Sequence, residues 1–380
     1  MQTIVTAAGA AHFLSLVPHL LGYRPRNSIV VVPMRGGRSL GALRLDVPPD
    51  DDVELCDQVA SSILGMVCRI PEADAAVTVV YTDVAIAGSS DLPHSRLVRA
   101  LQRSADACGL RLTDALTVAA DGWGSHFDVL TPEGGRSLLD LETVPAGVDL
   151  PGVIGDQASG AVLPPHTAAE RREVGGARRS LECALTFLCG MPGTVKRDER
   201  IDPAALTAAC LLDDLPALFE GALTWDVEGM SPMQAAMLGW CLSRPSLRDV
   251  ALVQWATDSA GGEAALDAQR RWEDGEPYPD DLGMIMWGDG ARPDPERLEA
   301  GLALVRHVAA LTPKRQRPGA LAMCAWLSWA LGRSSHADRY TEQALTIDPN
   351  HGLSEIVQSF VQAGHLPDWA FRRGDRLDVR

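Results

Sequence analysis

The sequence has very little lysine, few aromatic residues and no excess of positive charge. Only Lys196 and Lys314 are lysines among 34 basic residues, and aromatic residues make up 5% of the 380 positions. With 50 acidic residues, the formal net charge is −16. Nucleic acids and anionic membranes are bound through basic surfaces, so this charge predicts that neither is a partner. The preference for arginine over lysine is typical of a GC-rich genome.

Long apolar runs are also missing. No stretch reaches the roughly 18 uninterrupted apolar residues that suggest a membrane-spanning helix. The N-terminal segment is apolar, but it has no basic residue before Arg24 and is interrupted by His12 and His19, unlike a signal peptide. These features predict a cytoplasmic protein.

The eight cysteines form no C-x-x-C pair. Most of them occupy apolar positions of helical patterns, as in ECALTFLC and AMLGWC. Such positions favour buried, reduced thiols over disulfides or zinc ligands. The sequence therefore predicts no metal site and no cofactor.

Residues 1–150 alternate between strand and helix patterns. The predicted elements are strands at 28–34 and 39–48, a helix from 53 to 67, a strand at 75–82, a helix within 92–108, and strands at 110–120 and 123–130. The first two strands are joined by a short Gly-Gly segment and should form a hairpin. This order predicts an α/β domain, a mixed sheet with flanking helices.

Strand patterns disappear from residue 167 onward, after a linker at 151–166 that is rich in Gly and Pro. Asp202-Pro203 and Ser231-Pro232 have the signature of a helix N-cap followed by proline in the first turn. The sequence predicts an all-α domain over 167–380. Its later helices are expected at roughly 295–311, 319–331, 335–346 and 351–363.

One segment of this helical domain, near 319–350, resembles a single tetratricopeptide-type helix pair, with Gly332 at the turn. No clean second copy is present. Stacked helical hairpins are therefore a safer expectation than a repeat protein.

Several strings resemble a known family when taken together and in order. They include LVPHLLGYRPRNSIVVVPMRG at 16–36, ALRLDVP at 42–48, VVYTD at 79–83, DGW at 121–123, TPEGG at 131–135 and SRPSLRDVAL at 243–252. They are similar to the actinobacterial family catalogued as domain of unknown function 4192, and the resemblance spans most of the chain. It implies no established activity. Family members often carry cysteines between the tryptophan motif and the Pro-Glu-Gly turn. This chain reads GSHFDVL there, so a metal or redox role of those cysteines would not transfer.

Acidic residues follow three of the predicted strands. Asp46 ends the second strand, Asp83 follows the third and Asp121 follows the fourth. Ligands of α/β sheets gather outside the carboxyl ends of strands, where carboxylates can hold a hydroxyl or a metal or act as general acid and base. Aspartate is also common at strand exits because it forms turns. Both interpretations stay open because the sequence does not fix the strand order.

Basic and aromatic residues flank these positions. Arg24 and Arg26 precede the first strand, and they could reach the same edge and bind a small anionic ligand if that strand is antiparallel to its neighbours. Trp123 and His126 lie beside Asp121. They could line a pocket there or form an ordinary half-exposed strand face.

The sequence contains no P-loop, dinucleotide fingerprint, nucleophile elbow or HExxH string, which favours a non-enzymatic role. The leading hypothesis is an adaptor that binds a protein partner through its helical domain and holds a small ligand in its α/β domain. The alternative is a hydrolase or transferase acting on a phosphorylated or nucleotide-like ligand at the strand ends. That alternative requires Asp46, Asp83 and Asp121 to converge within about 10 Å around a pocket, with Arg24 or Arg26 on its rim.

Overall fold

The computed structural model describes residues 7, 9–49, 52–89, 91–141, 150, 152–190 and 201–371. The chain divides into two compact units, Met1–Gly160 and Ala161–Arg380. Within the described ranges, no helix is both long enough and apolar enough to cross a membrane.

The N-terminal unit is a mixed sheet with flanking helices, which confirms the predicted fold class. Its elements are α1 (Ala10–Leu21), β1 (Ser28–Arg35), β2 (Arg38–Ser39), β3 (Leu43–Asp46), α2 (Val53–Cys68), β4 (Ala75–Tyr81), α3 (Ser95–Cys108), β5 (Arg111–Val118) and β6 (Trp123–Ser125). The strand order is β2-β1-β4-β5-β6. β3 also pairs with β1, at the Ser28 end of that strand, whereas β2 pairs with its Arg35 end. β1 is antiparallel to β3 and β4, whereas β4 and β5 are parallel.

The sheet is covered on both faces. Ile29 and Val31 face the layer that contains α2 and α3, and Val30 and Val32 face α1. Side chains alternate across a strand, so a strand buried on both faces needs apolar residues at every position. This explains why β1 is a continuous β-branched run.

Two predicted strands differ from the observed ones. The predicted strand at 39–48 is split into β2 and β3, with Gly41 between them at a φ of 132° that favours glycine. The predicted strand at 123–130 ends at Ser125. There the Ser125 hydroxyl accepts from the Phe127 amide, and Asp128 accepts from the Leu130 amide, so local side-chain bonds replace the ladder with turns.

The C-terminal unit is helical over its described residues apart from connecting turns. Its helices are α4 (Ala168–Leu188), α5 (Pro203–Leu211), α6 (Leu215–Ala222), α7 (Pro232–Leu242), α8 (Pro245–Ala256), α9 (Ser259–Glu273), α10 (Asp280–Met286), α11 (Pro295–Leu311), α12 (Pro318–Ala330), α13 (Ser334–Ile347) and α14 (Gly352–Gln362). The predicted caps are confirmed, because Asp202 accepts from the Ala204 amide and Ser231 from the Gln234 amide.

The centre of the helical unit is α12, whose 13 residues are all buried. Trp326 and Trp329 of this helix are fully buried. The Trp329 indole donates to the His365 carbonyl at 2.7 Å. α12 and α13 form the helix pair of the 319–350 segment. Its likeness to a tetratricopeptide repeat stays a prediction.

Five of the eight cysteines are exposed, so the expectation of mostly buried thiols was wrong. The exposed ones are Cys68, Cys108, Cys183, Cys189 and Cys210. Cys68 and Cys108 lie just beyond the last buried residues of their helices, Val67 and Ala105. Cysteine at an apolar-looking position near a helix end need not reach the core.

Candidate functional site

The strand ends that carry the predicted carboxylates share one edge of the sheet. Ser28 at the start of β1 pairs with Asp46 on β3 and with Tyr81 on β4, and Tyr81 pairs with Val118 on β5. Three strand spacings therefore separate the ends of β3 and β5, about 14 Å at the usual spacing. The carboxylates follow the edge in a row and do not surround one point.

Asp83 joins two neighbouring segments, and Asp46 pairs with an arginine that does so. The Asn27 amide group donates to the Asp83 carboxylate at 2.8 Å, and the Asp83 backbone amide donates back to the Asn27 side chain at 3.0 Å. Asp46 forms an ion pair with Arg44, whose Nε donates to the Ser28 hydroxyl at 2.8 Å. These contacts fix the start of β1 between β3 and β4.

Asp121 holds a loop. Its carboxylate accepts from the backbone amides of Ile86 at 2.7 Å and Ala87 at 3.0 Å, and the Ile86 side chain is buried. These two amides lower the pKa of Asp121, because they stabilise its ionised form. The carboxylate is committed to anchoring the segment that follows β4.

We predict that Asp121→Ala loosens this loop. Amide exchange at Ile86 and Ala87 should accelerate about tenfold, the effect of losing hydrogen bonds to a charged acceptor. The pKa of Asp121 is lowered in the folded protein. In the wild type, the protection of these two amides from exchange should therefore be complete above the ordinary aspartate pKa, and it should weaken as the pH falls through the lowered pKa. Hydrogen exchange resolved by residue measures this. Asp46→Ala, at the other end of the edge, is the control, and unchanged exchange in Asp121→Ala would contradict the assignment.

Arg24 and Arg26 lie at this edge, as expected if β1 is antiparallel, and both are exposed. The Arg24 amide donates to the Gly155 carbonyl at 2.9 Å. The Arg26 backbone exchanges two hydrogen bonds with the Gln157 side chain, and its charge contributes to the lowered pKa of Asp156 after the stronger effects of Ser159 and Ala158. The segment before β1 is thus tied to residues 155–157.

A cavity of about 690 Å³ lies beside α3 and the segment 125–134. Its polar lining includes Ser89, Asp91, Ser95, Arg99, Gln102, Ser125, His126, Asp128, Thr131 and Glu133. His126 Nε2 is 2.9 Å from the Thr117 hydroxyl oxygen. Of the seven side chains predicted from the sequence, His126 lines this cavity. The other six do not.

Trp123 belongs to the core of the opposite sheet face. It is 3% exposed, packs with the α1 layer and donates its indole N–H to the Ser137 carbonyl at 3.1 Å. The guanidinium of Arg136 lies 5.1 Å from the centre of its ring. Trp123 therefore stabilises the turn that follows β6.

The charges of the cavity are mostly negative. Three carboxylates, those of Asp91, Asp128 and Glu133, face one guanidinium, that of Arg99. Arg99 is within 3.3 Å of Asp91, and Arg136 holds Asp128 at 2.5 Å and lowers its pKa. The Arg99 guanidinium is thus already paired, and the lining is a poor match for a small anionic ligand. Across the described residues, no group of three or more His, Cys, Asp or Glu is placed to hold a metal ion.

The helical unit carries an exposed apolar surface, which we name the Trp287 patch and define as Met284, Trp287 and Ile356. These side chains are 46%, 55% and 44% exposed. Met284 lies one turn before Trp287, and the Trp287 ring is 5.2 Å from that of Phe360, one turn after Ile356 on α14. Phe360 thus links the Trp287 side chain to the helix that carries Ile356.

The sequence around the patch is strongly acidic. Residues 274–294 contain six Asp or Glu and one basic residue, Arg292. Asp280 and Asp281 lie in the first turn of α10, one turn before Met284, and Glu355 adjoins Ile356. The apolar surface therefore lies in a negative field.

The comparison with protein families gives one match. The model of the family described as domain of unknown function (DUF4192) matches residues 11–276 and 288–368. No curated protein and no solved structure matches the chain. The two matched stretches leave out residues 277–287, which include α10 and Trp287.

Proposed function

This chain belongs to the DUF4192 family, and we propose that it is an adaptor whose helical unit binds a basic segment of a partner protein on the Trp287 patch. The exposure of Trp287 is the observation that carries the proposal. Tryptophan is enriched among the residues that dominate binding energies, and here it stands beside two further exposed apolar side chains. Contiguous exposed apolar surface commonly marks an interaction site.

Charge determines the kind of partner. Asp280 and Asp281 begin the helix that carries Met284, and Glu355 is the neighbour of Ile356, so an apolar anchor seated on Trp287 would lie near acidic residues. Arginine or lysine beside that anchor would be attracted, and acidic segments would be repelled. The expected partner segment therefore combines one or two large apolar side chains with flanking basic residues.

The family match bears on how general this interaction would be. Because α10 lies outside both matched stretches, we propose that the Trp287 patch serves recognition by this chain in particular. The rest of the helical unit would then supply the scaffold that holds α10 in place.

We predict that Trp287→Ala abolishes capture of the partner while leaving the fold intact. Truncating a central anchor commonly costs about 2 kcal/mol or more, which weakens binding about 30-fold. Affinity capture from the native cells should identify a protein enriched by the wild type and lost with Trp287→Ala. Calorimetric titration with the purified partner segment then gives the change in affinity.

The matched control is Trp272→Ala on α9, because Trp272 is 56% exposed and lies outside the patch. It should bind as the wild type does. Binding should also weaken with added salt, since the attraction between exposed charges is screened. A partner that binds Trp287→Ala undiminished, or one whose binding segment is acidic, would contradict the proposal.

The hydrolase or transferase alternative gains no support from the site geometry. Asp83 and Asp121 each hold a neighbouring segment, Asp46 pairs with Arg44 of its own strand, and none of the three lines the cavity. We therefore do not propose it as the function. A small anionic ligand in the N-terminal unit stays a prediction from the sequence.

A further inference from the structure

α2 and α3 run side by side in the same direction. α2 connects β3 to β4, and α3 connects β4 to β5. β3 and β4 are both antiparallel to β1 and hence parallel to each other, as are β4 and β5. Both helices pack in one layer on the same sheet face, and Arg103 of α3 donates to Asp57 of α2 at 2.6 Å. Their C-terminal ends therefore lie together.

A cysteine ends each of these helices. Cys68 is the last residue of α2 and Cys108 is the last residue of α3. Both are exposed, and the Cys108 thiol is close enough to Cys68 to raise its pKa. Two sulfur atoms on neighbouring helix ends thus meet where solvent and small oxidants can reach them.

We propose that Cys68 and Cys108 are a redox modification site that closes to an intramolecular disulfide and fixes α2 to α3. The oxidant is a small disulfide such as oxidised glutathione. One protein thiolate attacks a glutathione sulfur, forming a mixed disulfide and releasing one glutathione thiolate. The second protein thiolate then attacks the protein sulfur of the mixed disulfide and releases the second glutathione. Two protein thiols and one oxidised glutathione give one protein disulfide and two reduced glutathiones.

Attack by the Cys68 thiol should be slow at neutral pH. Partial burial of the Cys68 thiol raises its pKa, and the neighbouring Cys108 thiol raises it further. A raised pKa lowers the thiolate fraction, and thiolate is the attacking species. Attack by Cys68 should therefore be slow, and closure through it should need sustained oxidation.

Closure has a predictable effect on the N-terminal unit. The bridge would close a loop that includes β4 and nearly all of α3. A bridge across such a loop stabilises mainly by restricting the unfolded chain. The melting temperature of this unit should rise by roughly 5 °C on oxidation and return on reduction.

The test is incubation of the purified full chain with excess oxidised glutathione, followed by mass spectrometry with and without thiol alkylation. In the wild type, the segments around Cys68 and Cys108 should together lose the mass of two hydrogens and appear as one cross-linked peptide joining residues 68 and 108. Cys183→Ser should form the same cross-link, because Cys183 lies in the helical unit, and should differ from the wild type only in the modification of Cys183 itself. Cys68→Ser should instead retain one glutathione on Cys108, without the rise in melting temperature. Cys108→Ser should likewise retain one glutathione on Cys68.

Two outcomes would overturn the proposal. One is stable glutathione adducts on both Cys68 and Cys108 of the wild type. The other is that both thiols stay reduced under conditions in which Cys183 is modified.

Discussion

Replacing Trp329 by alanine is expected to lower the free energy of unfolding of the helical unit by about 4 kcal/mol. The Trp329 side chain is fully buried, and its ring lies 4.8 Å from Phe360 and 6.3 Å from Trp369. The substitution removes this packing, opens a cavity and deprives the His365 carbonyl of its indole donor. Denaturant unfolding followed by circular dichroism measures the change.

Trp272→Ala is again the matched control for this substitution. Its side chain is mostly exposed, so its loss should change stability by no more than about 0.5 kcal/mol. A loss under about 1 kcal/mol for Trp329→Ala would mean that the packing around α12 is looser than described. Phe360 contacts both Trp329 and Trp287, so Trp329→Ala should also loosen the packing that supports the Trp287 side chain.

Gly319→Ala is expected to cost about 3 kcal/mol, although alanine is the better helix former. Gly319 lies in the first turn of α12, where a Cβ atom would collide with the Leu242 carbonyl oxygen and approach the Ser243 Cα to 3.2 Å. These are backbone atoms at the end of α7, so relief requires that two helices move apart. The shift in the denaturant midpoint gives the cost.

The control for Gly319 is a helical glycine with free space. At Gly221 in α6, a Cβ atom would have no neighbouring atom within 4 Å, so Gly221→Ala should stabilise the unit by up to about 1 kcal/mol. Equal stabilities of the two variants would show that α7 and α12 do not approach as closely as described.

Much of the fold was predictable because strong local patterns coincide with the tertiary structure. The β-branched run of β1, the caps at Asp202 and Ser231, and the helices α11 to α14 all follow from period and turn chemistry. α9 and α10 were not predicted. α9 has two glycines in its first turn and α10 spans seven residues, so neither produces a clear helical stripe.

The candidate sites were harder to predict, because they depend on contacts between distant segments. The sequence shows that Asp121 follows a strand, but not that Ile86 and Ala87 point their amides at it. The cavity lining combines residues of α3 with the turn after β6, and each part alone has the pattern of an ordinary surface. The contact between Cys68 and Cys108 likewise exists only once two crossovers place α2 beside α3.

The complete burial of α12 has a consequence for dissecting this protein. A helix without a polar face has no arrangement in water that hides all its side chains, so the pair formed by α12 and α13 cannot serve as an excisable module. Truncations that remove the neighbouring helices α7, α11 or α14 would expose apolar faces of α12 to water. The helical unit is therefore better expressed and mutated whole.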